Sequence, residues 1–245
     1  MQEMISVRGL TKSYHGKVVL QDLCMTVKKG EVYGILGANG AGKSTGIECM
    51  LGVRKKDKGT VSLMGLDPAK NRRAVFEKVG VQFQDASYQR EIRVGEICQE
   101  TESLYRDTND WKKLLAQFGI GQKEKSMVKD LSGGERQRLF VILALISKPE
   151  IVFLDELTTG LDASARRNVW NILRELKETG LTIVLTSHFM DEIEALCDQI
   201  LILKKGETVF CGTVTEAKEK SACEKLEDAY LYFSEDEEEY GNESI

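Results

Sequence analysis

Residues 31–45 read Glu31-Val32-Tyr33-Gly34-Ile35-Leu36-Gly37-Ala38-Asn39-Gly40-Ala41-Gly42-Lys43-Ser44-Thr45. The first six form a buried-type β-strand that runs directly into a glycine-rich loop and then into a helix expected from Lys43, a strand–loop–helix unit. The loop satisfies the spacing G-x-x-x-x-G-K-[ST] in the context its physics requires, after a strand and before a helix. Its glycines let the backbone curl so that successive N–H groups converge on phosphate oxygens, and the helix amino terminus adds a partial positive field. Gly37, Ala38, Asn39, Gly40, Ala41, Gly42 and Thr45 are therefore expected to cradle the phosphates of a nucleotide. Lys43 is expected to reach the β and γ phosphates, and Ser44 to offer its hydroxyl to Mg2+, a hard cation that prefers oxygen.

Outward from this loop, residues 4–8 and 18–27 show alternating or β-rich stretches with turn residues between them, which predicts an antiparallel amino-terminal sheet. A second β-like pair is expected near 60–64, then a strand at 78–83, then a polar helical region from about 94 to 147. Strands at 151–154, 181–186 and 199–203 alternate with helices expected from Ser164 and Met190. Alternating strands and helices predict an α/β fold with a largely parallel sheet covered on both faces. The helical middle, about 86–147, reads as a subdomain inserted into the strand order, within one domain over 1–233.

A second chemical feature stands at the end of a strand. Ile151-Val152-Phe153-Leu154 is followed by Asp155 and Glu156, which places two carboxylates at the carboxyl edge of a central strand, where open α/β sheets bind ligands. Asp155 suits Mg2+ held through water, and Glu156 suits a general base that polarises an attacking water. A third feature, Leu131-Ser132-Gly133-Gly134-Glu135, reads as an S-x-x-E capping box opening a helix. Capping leaves the two adjacent glycines unexplained, since each costs roughly 1 kcal/mol against alanine in a helix. Bare N–H groups at a helix amino terminus form an anion site, so Ser132, Gly133 and Gly134 are expected to meet a second phosphate.

Together these segments resemble the motifs of ATP-binding cassette (ABC) proteins: residues 131–135 resemble the signature motif, the phosphate loop Walker A, and Asp155-Glu156 Walker B. The resemblance covers nearly the whole chain. It implies a P-loop core with an antiparallel β subdomain and an inserted helical subdomain, binding ATP with Mg2+ and hydrolysing it. It also implies that two subunits pair head to tail, each signature motif closing on the γ-phosphate held by the other. Tyr14 resembles the aromatic that stacks on adenine. Gln84, in Val81-Gln82-Phe83-Gln84-Asp85, resembles the glutamine that touches Mg2+ and the attacking water. Asp162, in Gly160-Leu161-Asp162, resembles the loop that crosses the dimer interface, and His188 the switch histidine that contacts the γ-phosphate. Two positions depart from the pattern: Leu157 stands where proline is usual, which predicts a less rigid turn, and Gly46 stands where a larger residue is usual, which predicts a weakened first helical turn.

Residues 187–198 and 226–231 resemble, less specifically, the nucleotide-binding subunits of bacterial ABC exporters for drugs or peptide antibiotics. That resemblance implies a peripheral energy subunit at the cytoplasmic face of the cell membrane. It would be joined to a second nucleotide-binding subunit, identical or different, and to a separate integral membrane permease. A soluble ABC ATPase acting on ribosomes or DNA is the alternative; such proteins generally carry two cassettes, a long coiled-coil insertion or zinc modules, and none is visible. A P-loop GTPase or small kinase is disfavoured by the signature segment, by His188 and by the lack of an N-K-x-D guanine-reading motif.

Composition sets outer bounds on these readings. The 245 residues are 42% hydrophobic and 30% charged with 2 prolines, an ordinary globular balance that can bury a core without disulfides or structural metal. Six cysteines lack any C-x-x-C spacing, so a zinc site is not expected and a reducing cytosol fits. The amino terminus does not resemble a secretory signal. The longest apolar run, 139–146, has eight residues, far short of the roughly 18 that a membrane-spanning helix requires. Net charge is −5, yet residues 234–245 hold six acids and no base, leaving the rest at +1 with its lysines and arginines scattered. Nucleic-acid binding is accordingly not expected, and 234–245 reads as a solvated, disordered acidic tail.

Overall fold

The computed structural model describes residues 2–83, 88, 91–158 and 160–234. Gln84 and all but the first residue of the acidic tail therefore lie outside the described residues.

The chain begins with two long strands, β1 (Glu3–Tyr14) and β2 (Lys17–Lys28), paired antiparallel as the alternation predicts. Then come β3 (Val32–Leu36), α1 (Lys43–Met50), β4 (Lys58–Leu63), α2 (Arg72–Phe76) and β5 (Val79–Gln82). The expected pair near 60–64 is instead one strand, β4, pairing with β1, followed by a single bridge from Leu63 to Leu66. The reason is local: Leu63 and Leu66 exchange backbone hydrogen bonds across a tight turn, leaving no length for a second strand. The middle of the chain supplies α3 (Val94–Ser103), α4 (Trp111–Gln117) and α5 (Gly133–Ile146). Beyond it are β6 (Ile151–Asp155), α6 (Ala163–Glu178), β7 (Thr182–Thr186), α7 (Met190–Leu196), β8 (Gln199–Lys204), β9 (Glu207–Gly212), α8 (Val214–Ser221) and α9 (Leu226–Ser234).

The last strand and the two last helices escape the sequence reading, although Thr213 and Glu216 form a capping box that announces α8. The ring of Phe233 lies 4.8 Å from that of Phe210 and holds α9 against β9.

The main sheet has the order β5-β6-β7-β3-β8-β9, parallel except for the last pair. Every residue of β3, β6 and β7 is buried, which explains their unbroken apolar sequences: a parallel sheet covered on both faces needs apolar side chains on both. Alternate residues enter two separate cores. Leu36, Val152, Leu154, Ile183 and Leu185 join the core with the middle helices, α6 and α7. Tyr33, Ile35, Phe153, Val184 and Leu201 join the core with α1 and the small sheet β2-β1-β4. The eight-residue apolar run is accounted for by α5, which packs along β5. Their approach is so close at Gly80 that a Cβ there would stand 1.9 Å from the Ala144 carbonyl oxygen. Among the described residues, no helix is long and apolar enough to cross a membrane.

Gly80→Ala should therefore force α5 off the sheet and destabilise the protein by about 1–3 kcal/mol or more, as overpacking does. The midpoint of urea unfolding checks this, and an unchanged midpoint would contradict the packing described.

Candidate functional site

The glycine-rich loop leaves β3 at the carboxyl edge of the sheet and turns into α1 at Gly42, which adopts φ +105°. A Cβ there would stand 2.8 Å from both the Val19 carbonyl and the Leu20 side chain of β2, so only glycine lets the loop lie against that strand. Lys43 is buried, and its ammonium donates to the carbonyl oxygens of Gly37 at 2.6 Å and Ala38 at 3.2 Å. Burial lowers the Lys43 pKa, while the carboxylates of Glu156 and Asp155 act in the opposite sense. The side chain expected to grip phosphate thus spans its own loop, and the acids beyond it offset part of the effect of burial. Gly46 does not interrupt α1, which continues through it with Gly46 N–H donating to the Gly42 carbonyl at 2.8 Å.

A cavity of about 290 Å³ opens above the loop, lined by Asn39, Gly40, Gly42, Lys43, Ser44 and Thr45 together with Val19 and Glu156. The structure thereby brings Glu156 to the phosphate loop from 111 positions away in the chain. Asp155, the last residue of β6, is buried and accepts a hydrogen bond from the Thr186 hydroxyl. Glu156 sits at φ +52°, a conformation that typically costs a non-glycine residue of order 1–3 kcal/mol and persists only where the surroundings impose it. The surroundings are specific. The Glu156 N–H donates to the Thr186 carbonyl at 3.2 Å and to its hydroxyl at 3.0 Å, and the Gln137 amide donates to the Glu156 carbonyl at 3.4 Å. Leu157, the departure expected to loosen this turn, is fully buried, so packing anchors the turn where proline would stiffen it. His188 follows β7 and places Nδ1 3.8 Å from Glu156 Oε1.

Other expected residues stand apart from this cavity. Tyr14 ends β1 with Lys12 Nζ 5.0 Å and the Arg54 guanidinium 5.4 Å from its ring centroid; Val19, not Tyr14, lines the cavity. Ser132 and Glu135 complete the capping box of α5 in both directions, at 3.2 and 2.9 Å. That bonding, with Lys123 beside it, holds the Glu135 carboxyl below its ordinary pKa. A side chain at Gly133 would meet nothing within 4 Å, so this chain's own packing does not demand glycine there. Asp162 caps α6, accepting from the Ala165 N–H at 2.8 Å. None of Ser132, Gly133, Gly134 and Asp162 lines the cavity.

The donor set beside the cavity suits Mg2+ in kind: the Ser44 hydroxyl and the Asp155 carboxylate are hard oxygen ligands. Among the described residues no group of three or more His, Cys, Asp or Glu could hold a metal ion alone. A cation here would be completed by phosphate oxygens and water, the coordination Mg2+ favours.

Sequence reasoning missed Val19, Thr186 and Gln137. For Thr186 a signal existed, a hydroxyl closing the strand that precedes His188. Its importance comes from register, since Thr186 lies opposite Asp155.

A phosphate loop and an acidic pair at the carboxyl edge of a doubly covered parallel sheet define a P-loop nucleotide-binding protein. Residues 20–159 match the ABC transporter family. The linearmycin resistance ATP-binding protein LnrL of Bacillus subtilis is 32% identical over 87% of this chain and 70% of its own. Nod factor export ATP-binding protein I of Rhizobium johnstonii is 38% identical over 85% of this chain and 68% of its own. A bacterial ABC transporter cassette solved as a dimer has the same fold, with a TM-score of 0.77 and 24% identity over 86% of this chain and 98% of that one. The chain belongs to the ABC transporter family of ATP-binding proteins.

Thr186→Val keeps the shape but removes the bridge between Asp155 and Glu156, and should cost about 1–3 kcal/mol of stability because a buried carboxylate loses a donor. Thr186→Ser should cost less. Denaturant titration of both variants tests this, and equal losses would refute a role for the hydroxyl.

Proposed function

We propose that this chain is the ATP-hydrolysing energy subunit of an exporter. It works as a head-to-tail pair with a second nucleotide-binding subunit, on separate integral membrane subunits at the cytoplasmic face of the membrane. The observation that carries the reading is one shared cavity in which Lys43 and Ser44 meet Glu156, which lies 112 positions beyond Ser44 in the chain.

In this reading the loop N–H groups of residues 37–45 and the Lys43 ammonium bind the phosphates of ATP, with Tyr14 against the adenine. Ser44, Asp155 and Gln84 would hold Mg2+, which neutralises phosphate charge and orients the phosphate chain. Glu156 accepts a proton from the attacking water, with Gln84 directing that water. His188, whose Nδ1 lies 3.8 Å from the Glu156 carboxylate, would contact the γ-phosphate. The strained turn at Glu156 aims its side chain into the cavity before ligand arrives, as preorganised catalysis requires.

The separation of the signature residues from the cavity supports pairing. Ser132, Gly133 and Gly134 present a helix amino terminus whose glycine at 133 is not required by the chain's own packing, and that bare backbone fits the γ-phosphate held by an opposing subunit. Asp162 would lie at the crossing between subunits. ATP shared by both protomers favours the closed pair by mass action, and hydrolysis releases it. A hollow of about 480 Å³, lined by Glu91, Ile92, Glu96, Gln99, Glu100 and Ser103 near the exposed Leu104, suits a short helix of a membrane subunit. Export is supported by the name of the Nod factor relative.

Glu156→Gln should retain ATP binding, lose about 100-fold or more in turnover as the removal of a general base does, and accumulate an ATP-stabilised dimer on gel filtration. Normal hydrolysis by this variant would show that Glu156 is not the base. Lys43→Ala should lose tight nucleotide binding by calorimetry, and undiminished affinity would contradict the assignment of the loop.

A further inference from the structure

Gln137 is half-buried on α5, four positions after Gly133 and three after Gly134, so it lies on the helix face that carries those glycines. Its amide donates to the Glu156 carbonyl at 3.4 Å, and none of the steps above uses it. The bond matters because of what it completes. The N–H of Glu156 is already held by the Thr186 carbonyl at 3.2 Å and the Thr186 hydroxyl at 3.0 Å. A residue has two soft backbone torsions, φ on its N–H side and ψ on its carbonyl side. Anchoring the N–H constrains the first and anchoring the carbonyl constrains the second, and together they set the direction in which the Glu156 side chain leaves the turn. At φ +52° that direction is not one an unrestrained chain would choose, so each anchor bears on where the carboxylate points.

A second contact joins the same two parts of the chain. A Cβ at Gly134 would stand 3.2 Å from Leu161 Cδ2 and 3.9 Å from the Gly160 carbonyl oxygen, so the first turn of α5 lies against the far end of the loop that Glu156 begins. Leu161 is buried there. The start of α5 is in turn fixed to the middle of the chain. The Arg138 guanidinium donates to the carbonyl of Phe118, just after α4, at 3.0 Å, and Lys123 pairs with Glu135 at 3.0 Å. One helix start is thus tied to the middle helices on one side and, through Gln137, to the turn bearing Glu156 on the other.

We infer that Gln137 is a positioning residue for Glu156: its amide fixes the carbonyl side of the strained turn and so aims the carboxylate, from the same helix whose first residues are proposed to meet the phosphate of an opposing subunit. The inference rests on the role proposed for Glu156. Gln137 does not line the nucleotide cavity; it acts through the backbone of residue 156, so it governs hydrolysis and leaves nucleotide binding to the phosphate loop.

The test uses the full chain with ATP and Mg2+ and compares three substitutions, with Glu156→Gln as control. Gln137→Met keeps the length without a donor, Gln137→Glu offers only acceptors, and Gln137→Lys restores a donor on a flexible stem. Turnover, affinity for a nonhydrolysable ATP analogue and melting temperature are measured for each. Misplacement of reacting groups by about 1 Å can cost on the order of 100-fold, so Gln137→Met and Gln137→Glu should each lose at least about fivefold in kcat while affinity stays within about twofold of the parent. Gln137→Lys should recover at least about half of the lost rate. A merely structural role would lower the melting temperature of the methionine and lysine variants without separating their turnover. The inference is overturned if Gln137→Met turns over normally, if affinity falls in step with kcat, or if the lysine variant is no faster than the methionine one. Should Gln137→Met not fold, a parental kcat in Gln137→Glu overturns it equally. Normal hydrolysis by Glu156→Gln would instead strike the role of Glu156, whereas an inactive Glu156→Gln beside a normal Gln137→Met would remove only this inference.

Discussion

The central strands of this protein are covered on both faces, and that constraint decides where its chemistry can stand. β3, β6 and β7 bury every residue, so polar side chains within them would lack water and partners. Polar groups can emerge only at strand ends. Parallel pairing in register then aligns those ends: Asp155 lies opposite Thr186, and the loop after Leu36 leaves from the neighbouring strand. The convergence of Lys43, Ser44 and Glu156 on one cavity is a consequence of strand order and register, with the loop and the acids contributed by strands that flank β7.

The same arrangement stores strain where it is useful. Glu156 occupies a left-handed conformation that an isolated chain would avoid, and bonds from Thr186 and Gln137 hold it there. Gln137 belongs to the helix that opens with Ser132, so the helix start expected to face a second subunit is mechanically joined to the turn bearing Glu156. Burial of Leu157 adds a packing anchor to the same turn. Rearrangement at either place would be felt at the other, because a buried network of this kind has few alternative arrangements.

Much of the fold was legible because its signals are local. Strand β3, the loop and α1 announce themselves within 31–45, and the capping box of α5 lies within four residues, Ser132 to Glu135. The apolar runs of β6 and β7 are visible for the same reason. The second β-like pair near 60–64 was misread because apolar alternation around Leu63 and Leu66 marks a tight turn as readily as a strand. Strand β9 and helix α9 were missed because what secures them is distant packing, as between Phe210 and Phe233. Within the site, Lys43, Ser44, Asp155, Glu156 and His188 stood out by motif, whereas Val19 and Thr186 are ordinary residues until neighbours from elsewhere in the chain surround them.

The amino-acid sequence by itself determined the class of the protein, since a phosphate loop is a property of consecutive backbone groups and needs only a strand before it and a helix after it. It also determined which strands would be buried on both faces, because continuous apolar runs leave no face for water. Only the tertiary structure decided which groups meet: that Lys43 spans its own loop, that Thr186 braces the turn at Glu156, and that Gln137 of α5 reaches the same turn. Those pairings depend on strand order and register, which arise from the packing of the whole chain and leave no mark at any single position.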